Sequence, residues 1–425
     1  MLRKRFFPAE PEADLSDIEE YQYPQAAESA PLVSVEDVKS VLARIKPFNA
    51  PGQDGIPNGF LKALGEPFIK TMVTLTQACW DTAYYPIRFR KARTVALRKP
   101  GKDSYTQPKA WRPIALLSTV GKVIEAVTAR HLRRLAEQYH MLPAHQMGAR
   151  KNRSTETALD LIVNQIHTIW QSGNYAASLL ALDISGAFDR VVRKRLIHIL
   201  RAKGVPEPLA AWIHAFMSGR SSTIVLTDSE SAEFPVPAGI PQGSPLSPIL
   251  FLFYSTELLE LCNNTNERLS ACGFVDDTTL LAYGPSTEGN CRTLTQAHSR
   301  CLDWARRHGA AFAPEKYELI HLTQTPRKFN MRARLQIEGV EKKPSTSIRI
   351  LGVWIDPRLR WGPHVKEVLK RMETRTNALT RITASTWGAT FTRARQVYSA
   401  VIRPALMYGS AVWHSPPVEG TTAKR

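Results

Sequence analysis

The sequence has few cysteines, and their spacing fits no metal site. None of the five cysteines in the 425 residues forms a Cys-x-x-Cys pair or lies at finger spacing from a histidine. A zinc site and a disulfide framework are therefore excluded. The cysteines are typical of ordinary thiols in a reducing compartment.

Two further absences concern the location of the protein. No run of about eighteen apolar residues exists, so the sequence predicts no membrane-spanning helix. Residues 1–8 are basic but lack the apolar stretch of a secretory signal. We therefore expect an intracellular protein that is not secreted.

The formal charge of +18 is unevenly distributed. Residues 86–153 carry 16 Lys and Arg against 3 acids, and residues 327–425 carry 19 against 6. The first thirty residues have the opposite balance, with 3 basic and 7 acidic side chains. Two basic arms around a nearly neutral middle indicate contact with nucleic acid. A solvated basic surface is the plainer alternative, but aromatic residues such as Trp111 are interleaved with the charges.

Two adjacent aspartates, Asp276 and Asp277, lie between Phe274-Val275 and an apolar run at 280–283. This pattern predicts a β-hairpin whose tight turn carries the carboxylates. Asp183 ends another apolar strand. Three aspartates at strand ends suit two-metal phosphoryl transfer, in which one ion activates a hydroxyl and the other neutralises the leaving phosphate. A surface turn with two aspartates is the alternative.

Residues 238–250 form a segment that is rich in glycine, proline and serine and contains a single glutamine, Gln242. This segment runs directly into an apolar helix. Such a loop leaves backbone N–H groups free at the helix start, where they can face a phosphate or a base. A structural turn would need only one or two of these residues.

Three motifs, in this order along the chain, resemble the motifs of a known protein family. They are Asp-x4-Phe-Asp from Asp183, Gly-x-Pro-Gln-Gly-Ser-Pro-Leu-Ser-Pro from Gly239, and Phe-x-Asp-Asp from Phe274. They resemble motifs A, B and C of reverse transcriptases, above all those of non-LTR (LINE-type) retrotransposons, with a fungal element expected. Further segments resemble the N-terminal extension motif (49–58), two fingers motifs (97–103 and 111–117), motif D (313–320) and motif E (351–356).

The resemblance implies an α+β right-hand polymerase fold with fingers, a palm of antiparallel sheet plus helices, and a helical thumb. The expected segments are a disordered acidic N-terminus (1–31), N-terminal extension and fingers (32–177), palm (178–325, with the motif B loop at 238–250), and a primer-grip hairpin with a basic, truncated thumb (326–425).

It also implies the functional residues. Expected catalytic and metal-binding residues are Asp183, Asp276 and Asp277, with a backbone carbonyl ligand from Ile184. Expected nucleotide-binding residues are Lys99, Arg112, Phe188, Gln242 and Lys316. Leu351, Gly352 and Val353 are expected in the primer grip, and Lys366, Lys370 and Arg371 on nucleic acid.

Several of these assignments leave alternatives open. Lys102 competes with Lys99 for the triphosphate, and Arg112 could instead form a structural salt bridge. Phe188 is either a steric gate against a ribose 2′-hydroxyl or a core phenylalanine. Lys316 either protonates the leaving pyrophosphate, only binds it, or is a surface lysine. For Asp189 we predict a helix-capping role.

The implied function is RNA-directed DNA polymerisation from a primer in target-primed reverse transcription. It requires two Mg²⁺ ions, with Mn²⁺ able to substitute, together with dNTPs, an RNA template, and a DNA primer or nicked target DNA, in a nuclear setting. One alternative is a catalytically inactive nucleic-acid-binding remnant. The other is an RNA-dependent RNA polymerase, although Val275 and Phe188 stand where that class generally has glycine and a second aspartate.

Overall fold

The computed structural model describes residues 1–226, 229–383 and 387–414. The chain divides into two compact units, the first with residues 1–150, 184–260 and 300–312, the second with 151–183, 261–299 and 313–425. Within the predicted thumb segment, residues 384–386 and 415–425 lie outside the described residues.

The helices are α1 (Leu2–Phe6), α2 (Val35–Arg44), α3 (Asn58–Ala63), α4 (Gly65–Asp81), α5 (Thr119–Gln138), α6 (Thr155–Gln171), α7 (Arg193–Ala202), α8 (Glu207–Met217), α9 (Ser247–Tyr254), α10 (Thr256–Leu261), α11 (Thr287–His308), α12 (Gly362–Arg381), α13 (Phe391–Val397), α14 (Arg403–Met407) and α15 (Ser410–Trp413). A π-helix, Tyr398–Ile402, joins α13 to α14.

The strands are β1 (Lys91–Arg98), β2 (Trp111–Leu117), β3 (Ala176–Leu182), β4 (Arg220–Leu226), β5 (Ser229–Glu230), β6 (Phe234–Val236), β7 (Leu269–Phe274), β8 (Asp277–Gly284), β9 (Glu318–Leu322), β10 (Leu335–Ile337), β11 (Val340–Lys342), β12 (Ile348–Ile350) and β13 (Val353–Ile355).

The second unit contains an antiparallel sheet in the order β7-β8-β3-β9, as the resemblance implies for the palm. β3 lies between β8 and β9 and pairs with both. Leu179 and Leu180 of β3 are fully buried, because a central strand covered on both faces needs apolar side chains in succession. This sheet ends next to Asp183, Asp276 and Asp277.

The first unit is built around a sheet in the order β2-β1-β4-β5, with β6 also on β4. The alternating pattern of residues 222–226 predicts a strand of the palm, but β4 pairs in parallel with β1 of the first unit instead. Buried Thr94 and Ser222 share a hydrogen bond of 2.8 Å between these two strands. Apolar alternation predicts that a strand exists, but it does not identify the partner strand.

The start of helix α2 shows that a short local pattern in the sequence can be sufficient to predict where a helix begins. Ser34 accepts a hydrogen bond from the backbone N–H of Asp37, and the Asp37 side chain accepts one from the Ser34 N–H. The spacing of Ser34 and Asp37 ahead of an apolar helical pattern predicts this capping box. Val38, Val41 and Leu42 are buried on one face of the helix.

The N-terminal segment, expected to be disordered, carries α1 and a 3-10 turn at Ser16–Ile18 in the structure. Arg195 of α7, only 2% exposed, donates to both carboxylate oxygens of Asp17 at 2.7 and 2.6 Å. It also donates to the backbone carbonyls of Asp14 and Arg307. The acidic segment therefore supplies the counter-charge of a buried guanidinium. The other boundaries of the four segments stay predictions.

We expect Asp17→Ala to destabilise the first unit by about 3 kcal/mol, because it leaves the buried Arg195 charge without its partner. The Arg195 hydrogen bonds lower the pKa of Asp17. A carboxyl group whose pKa is lowered by folding stabilises the folded protein at pH values above the ordinary pKa of that group. This stabilisation is lost as the pH falls through the lowered pKa. Denaturant unfolding at neutral and acidic pH measures both effects.

The control for this prediction is Arg306→Ala, which removes the more exposed ion pair between Arg306 and Asp14. Exposed pairs contribute at most about 1 kcal/mol. Equal losses in the two variants would contradict a special role for the buried Arg195–Asp17 pair.

Candidate active site

The paired aspartates lie at a tight turn in the second unit. Phe274 at the end of β7 pairs with Asp277 at the start of β8, so Val275 and Asp276 form a two-residue hairpin loop. Val275 has a φ of +60°. A β-branched residue is a true outlier in this region, and such strain typically costs about 1–3 kcal/mol and is concentrated at functional sites. The predicted hairpin is confirmed, and its turn is strained at the residue between Phe274 and the aspartates.

Sheet register brings the third aspartate to the same end of the sheet. Leu182, the last residue of β3, pairs with Thr278 of β8. Because the two strands are antiparallel, the next residue on one is Asp183 and on the other Asp277. The backbone carbonyl of Asp183 also accepts from the Ala313 N–H at 3.0 Å, which holds the strand end in place.

The charges of the three aspartates influence one another. The pKa of Asp277 is raised, first by burial and then by the negative charges of Asp276 and Asp183. Lys316 extends its ammonium to Asp183, with 2.9 Å between Nζ and Oδ1. Both side chains of this pair are about half exposed. The three carboxylates thus form one electrostatic cluster, and a lysine partly compensates it.

The donor atoms of this cluster suit a hard divalent cation, since Mg²⁺ prefers carboxylate oxygens. In the part of the chain that the structure describes, no three His, Cys, Asp or Glu side chains are gathered closely enough to hold a metal ion. Lys316 engages Asp183, one of the carboxylates expected to bind the ions. The predicted carbonyl ligand, Ile184, belongs to the first unit and forms an antiparallel bridge with Phe312.

The predicted primer grip is also a hairpin. β12 and β13 pair with Leu351 and Gly352 between them, at φ values of +45° and +90°. Positive φ at both central residues is typical of a type I′ turn. Tyr408 donates its hydroxyl to the Leu351 carbonyl at 2.7 Å. Ile350, Leu351 and Asp277 line one cavity, so this hairpin borders the acidic cluster.

The thumb residues lie on α12. Lys366 and Lys370 are one helical turn apart and line a single groove. Arg371 donates from Nε to Glu367 at 3.1 Å, an i,i+4 pair within the helix. Its charge is therefore partly compensated, whereas the two lysines are exposed.

In the first unit, Gln242 and Phe188 have defined contacts. Gln242 donates from Nε2 to Oδ1 of Asp189 at 2.8 Å. The Phe188 ring stacks on Phe251 of α9, with 5.1 Å between centroids and 15° between planes. The structure thus brings motif A and motif B residues together within this unit.

The fingers candidates lie on the β1–β2 hairpin. Lys99 is anchored by its backbone, because its N–H donates to the Ala110 carbonyl and its carbonyl accepts from the Tyr105 hydroxyl. Burial raises the pKa of Asp189, and the nearby Lys99 charge is among the influences that oppose this rise, whereas Lys102 is exposed in the connecting loop. Arg112 is exposed and forms no ion pair within the described ranges, so the expected alternative of a structural salt bridge finds no support.

Residues 97–355 match the family described as "Reverse transcriptase (RNA-dependent DNA polymerase)". The chain belongs to the reverse transcriptase family. Its predicted α+β right-hand polymerase fold is thereby confirmed. The curated relatives that it matches bear out the predicted similarity to the reverse transcriptases of LINE-type retrotransposons.

Curated relatives of this reverse transcriptase include three Drosophila melanogaster sequences. A "Probable RNA-directed DNA polymerase from transposon X-element" is 28% identical and covers 89% of this chain and 41% of its own length. The "RNA-directed DNA polymerase from mobile element jockey" is 24% identical, and the match covers 97% of this chain and 45% of the relative. A "Putative 115 kDa protein in type-1 retrotransposable element R1DM" is 27% identical, and the match covers 100% of this chain and 40% of the relative. The chain thus spans less than half of each relative. All three are insect elements, so they lend no support to the expected similarity to fungal elements.

Among solved structures, the reverse transcriptase is similar to apo telomerase from Candida tropicalis. The TM-score is 0.44 at 14% identity, over 63% of this chain and 54% of that chain. Among the described residues, no helix has the length and apolar character needed to cross a membrane. The five cysteines of the chain are all buried.

Sequence reasoning missed one role and misassigned another. Glu125, fully buried on α5, accepts from the Tyr85 hydroxyl at 2.6 Å and from the Ser244 hydroxyl of the motif B loop. No local pattern predicts this network, because a glutamate in an apolar helix gives no sign of its partners. The helix-capping role of Asp189 is wrong. α7 begins at Arg193 behind Val192, without a side-chain cap, and Asp189 binds Gln242 instead.

Proposed function

We propose that this chain is an RNA-directed DNA polymerase, which adds dNTPs to a primer 3′-hydroxyl in target-primed reverse transcription of a LINE-type retrotransposon. The observation that carries the proposal is the electrostatic cluster of Asp183, Asp276 and Asp277 at one end of an antiparallel sheet. It occurs in a chain that belongs to the reverse transcriptase family.

The reaction joins the primer 3′-oxygen to the α-phosphorus of a dNTP and releases pyrophosphate. Two divalent ions, Mg²⁺ or Mn²⁺, would activate the hydroxyl and neutralise the developing charge when bound. Asp183 and Asp276 would ligate both ions, Ile184 would add its carbonyl, and Asp277 would lie nearer the primer end. Lys316 must leave Asp183 before this carboxylate can serve, and the released ammonium can then bind or protonate the pyrophosphate.

The nucleotide contacts follow from the resemblance. Lys99 and Arg112 would bind the triphosphate, because an ammonium and a planar guanidinium both suit phosphate oxygens. The anchored backbone of Lys99 and its position near Asp189 favour it over Lys102. Gln242 would contact the nucleotide, and Phe188 would exclude the 2′-hydroxyl.

The partners are an RNA template and a DNA primer or nicked target DNA. Leu351, Gly352 and Val353 would support the primer end, and the cavity shared by Leu351 and Asp277 supports this assignment. Lys366, Lys370 and, to a lesser degree, Arg371 would contact the phosphate backbone. Nicked chromosomal DNA as target implies activity in the nucleus.

Primer extension on an RNA template tests the function directly. The purified protein is given a DNA primer, Mg²⁺ and either dNTPs or NTPs. Extension with dNTPs supports the proposal, and extension with NTPs alone identifies an RNA-dependent RNA polymerase. Tight primer–template binding without extension identifies an inactive remnant.

Binding to primer–template is expected to weaken steeply with salt, because each neutralised phosphate releases counterions. Lys366→Gln together with Lys370→Gln should reduce the slope of log affinity against log salt by roughly one per lysine, as each phosphate contact is lost. Arg371→Gln should reduce it less, since Glu367 already compensates its charge.

Fluorescence anisotropy between about 50 and 200 mM salt measures this slope. Lys203→Gln is the control, because Lys203 pairs with Glu260 at 2.8 Å. An unchanged slope in the double variant would contradict phosphate contacts by α12.

A further inference from the structure

Gln242 is held at two points, one on its backbone and one on its side-chain amide, both within the first unit. Its backbone carbonyl accepts from the Ala115 N–H of β2 at 2.7 Å. Its side-chain Nε2 donates to Oδ1 of Asp189 at 2.8 Å. The motif B glutamine is therefore fixed from the fingers strand on one side and from the motif A turn on the other.

The backbones of the two loops are also joined. The Gly239 N–H donates to the Val191 carbonyl at 3.0 Å, and the Ile240 N–H to the Phe188 carbonyl at 2.9 Å. Gly239 has a φ of +82°, and a Cβ there would come within 2.8 Å of the Phe188 and Asp189 carbonyl oxygens. Because this close approach fixes both backbones, the carboxylate of Asp189 and the amide of Gln242 meet in one defined arrangement.

The chemistry of the pair determines which way the amide points. An ionised carboxylate can only accept hydrogen bonds, so it must face the NH₂ group of Gln242. The carbonyl oxygen Oε1 is then directed to the other side as an acceptor. An amide has two nearly isosteric orientations, and an acceptor-only neighbour selects one of them.

We propose that Asp189 is a positioning residue for nucleotide selection: its carboxylate orients the Gln242 amide so that Oε1 is presented to the incoming dNTP. This inference rests on the proposed function, since Gln242 is assigned to the nucleotide by resemblance. Under this proposal, Asp189, which follows Phe188, acts in substrate binding and does not cap α7.

Protonation should remove this control. Burial raises the pKa of Asp189 to about 6, against the opposing effects of the Gln242 hydrogen bond and of the Arg5 and Lys99 charges. A protonated carboxyl has both an O–H donor and an acceptor oxygen, as an asparagine amide also has a donor and an acceptor, so it can hold the Gln242 amide in either orientation. Acidification of wild type and the variant Asp189→Asn should therefore have similar effects.

The test measures kcat and KM for a correct dNTP during primer extension, at pH values from one unit below to one unit above 6. At the upper pH, Asp189→Asn should raise KM about tenfold with a smaller change in kcat, the size expected for one oriented hydrogen bond. The KM of wild type should rise as the pH falls, whereas the KM of the variant should stay nearly constant.

A double variant shows whether Asp189 acts through Gln242. In Gln242→Ala, the further change Asp189→Asn should leave KM unchanged, whereas independent effects would multiply. Asp303→Asn, which alters an exposed carboxylate of the same unit, is the matched control and should behave like wild type.

The outcomes separate the two proposals. If wild type extends primers but Asp189→Asn leaves KM unchanged, the positioning role is overturned and the polymerase function stands. Multiplying effects in the double variant also overturn it. If Asp189→Asn does not fold, the pH dependence of KM in wild type alone decides, and a flat profile overturns the inference. Absence of extension by wild type overturns the proposed function and this inference with it.

Discussion

Replacing Asp183 or Asp276 with alanine is expected to abolish primer extension, reducing it by at least about a thousandfold while RNA binding persists. Each change removes a carboxylate that would ligate both ions, and metal-assisted phosphoryl transfer depends on charge stabilisation worth several kcal/mol. Steady-state extension rates and anisotropy with the same primer–template measure both quantities. Asp160→Ala, an exposed aspartate of the second unit, is the control and should retain full activity.

Stability measurements on Asp277→Asn and Asp183→Ala separate catalysis from folding. The pKa of Asp277 is raised in the folded protein, so its ionised form is less stable there than in the unfolded chain. Above this raised pKa the charge destabilises the fold, and Asp277→Asn should therefore raise the melting temperature at neutral pH without metal. Asp183→Ala loses only the half-exposed pair with Lys316, so its stability should change little. A large loss of stability in either variant would mean that lost extension reports unfolding. Substantial residual extension would contradict the metal assignment.

Local signals predicted much of the fold. The capping box of α2 and the aspartate hairpin rely on neighbours within a few residues, and both are present. The apolar pattern of residues 248–261 predicts one continuous helix, but the structure divides this stretch into α9 and α10 at Ser255. The Ser255 hydroxyl donates to the Phe251 carbonyl of the preceding turn, a bond that often bends helices. Sequence periodicity cannot reveal such a break, because the apolar pattern continues through it.

The candidate site, like the fold, is predicted by the sequence only in part. The motif spacing located the three aspartates, the glutamine and the phenylalanine as a set. It could not predict that Lys316 engages Asp183, or that Asp189 engages Gln242 across 53 positions. These contacts depend on how separate strands and loops are brought together. A charged residue beside a motif therefore shows its role only when its partner is known.

Truncating Phe188 is expected to admit ribonucleotides. One face of its ring is covered by Phe251, at 15° between planes, so the ring cannot swing freely away from a nucleotide. A fixed ring leaves no room for a 2′-hydroxyl and offers it no hydrogen-bond partner once water is excluded. Wild type should strongly prefer dGTP over GTP. Phe188→Val and Phe188→Ala should reduce this preference by about ten- to a hundredfold and keep dGTP incorporation.

The ratio of kcat/KM for dGTP to kcat/KM for GTP isolates the gate from general damage. Truncation also removes packing against Phe251, which should cost about 1–3 kcal/mol for a partly buried ring. That loss lowers both rates together and cancels in the ratio, provided that the assay temperature lies well below unfolding. Phe60→Ala, an exposed phenylalanine of the same unit, should leave the ratio unchanged. If truncating Phe188 also leaves it unchanged, the ring is a core residue and something else excludes the ribose. A wild-type preference for GTP would instead identify an RNA polymerase, because a gate that admits the 2′-hydroxyl has no use in DNA synthesis.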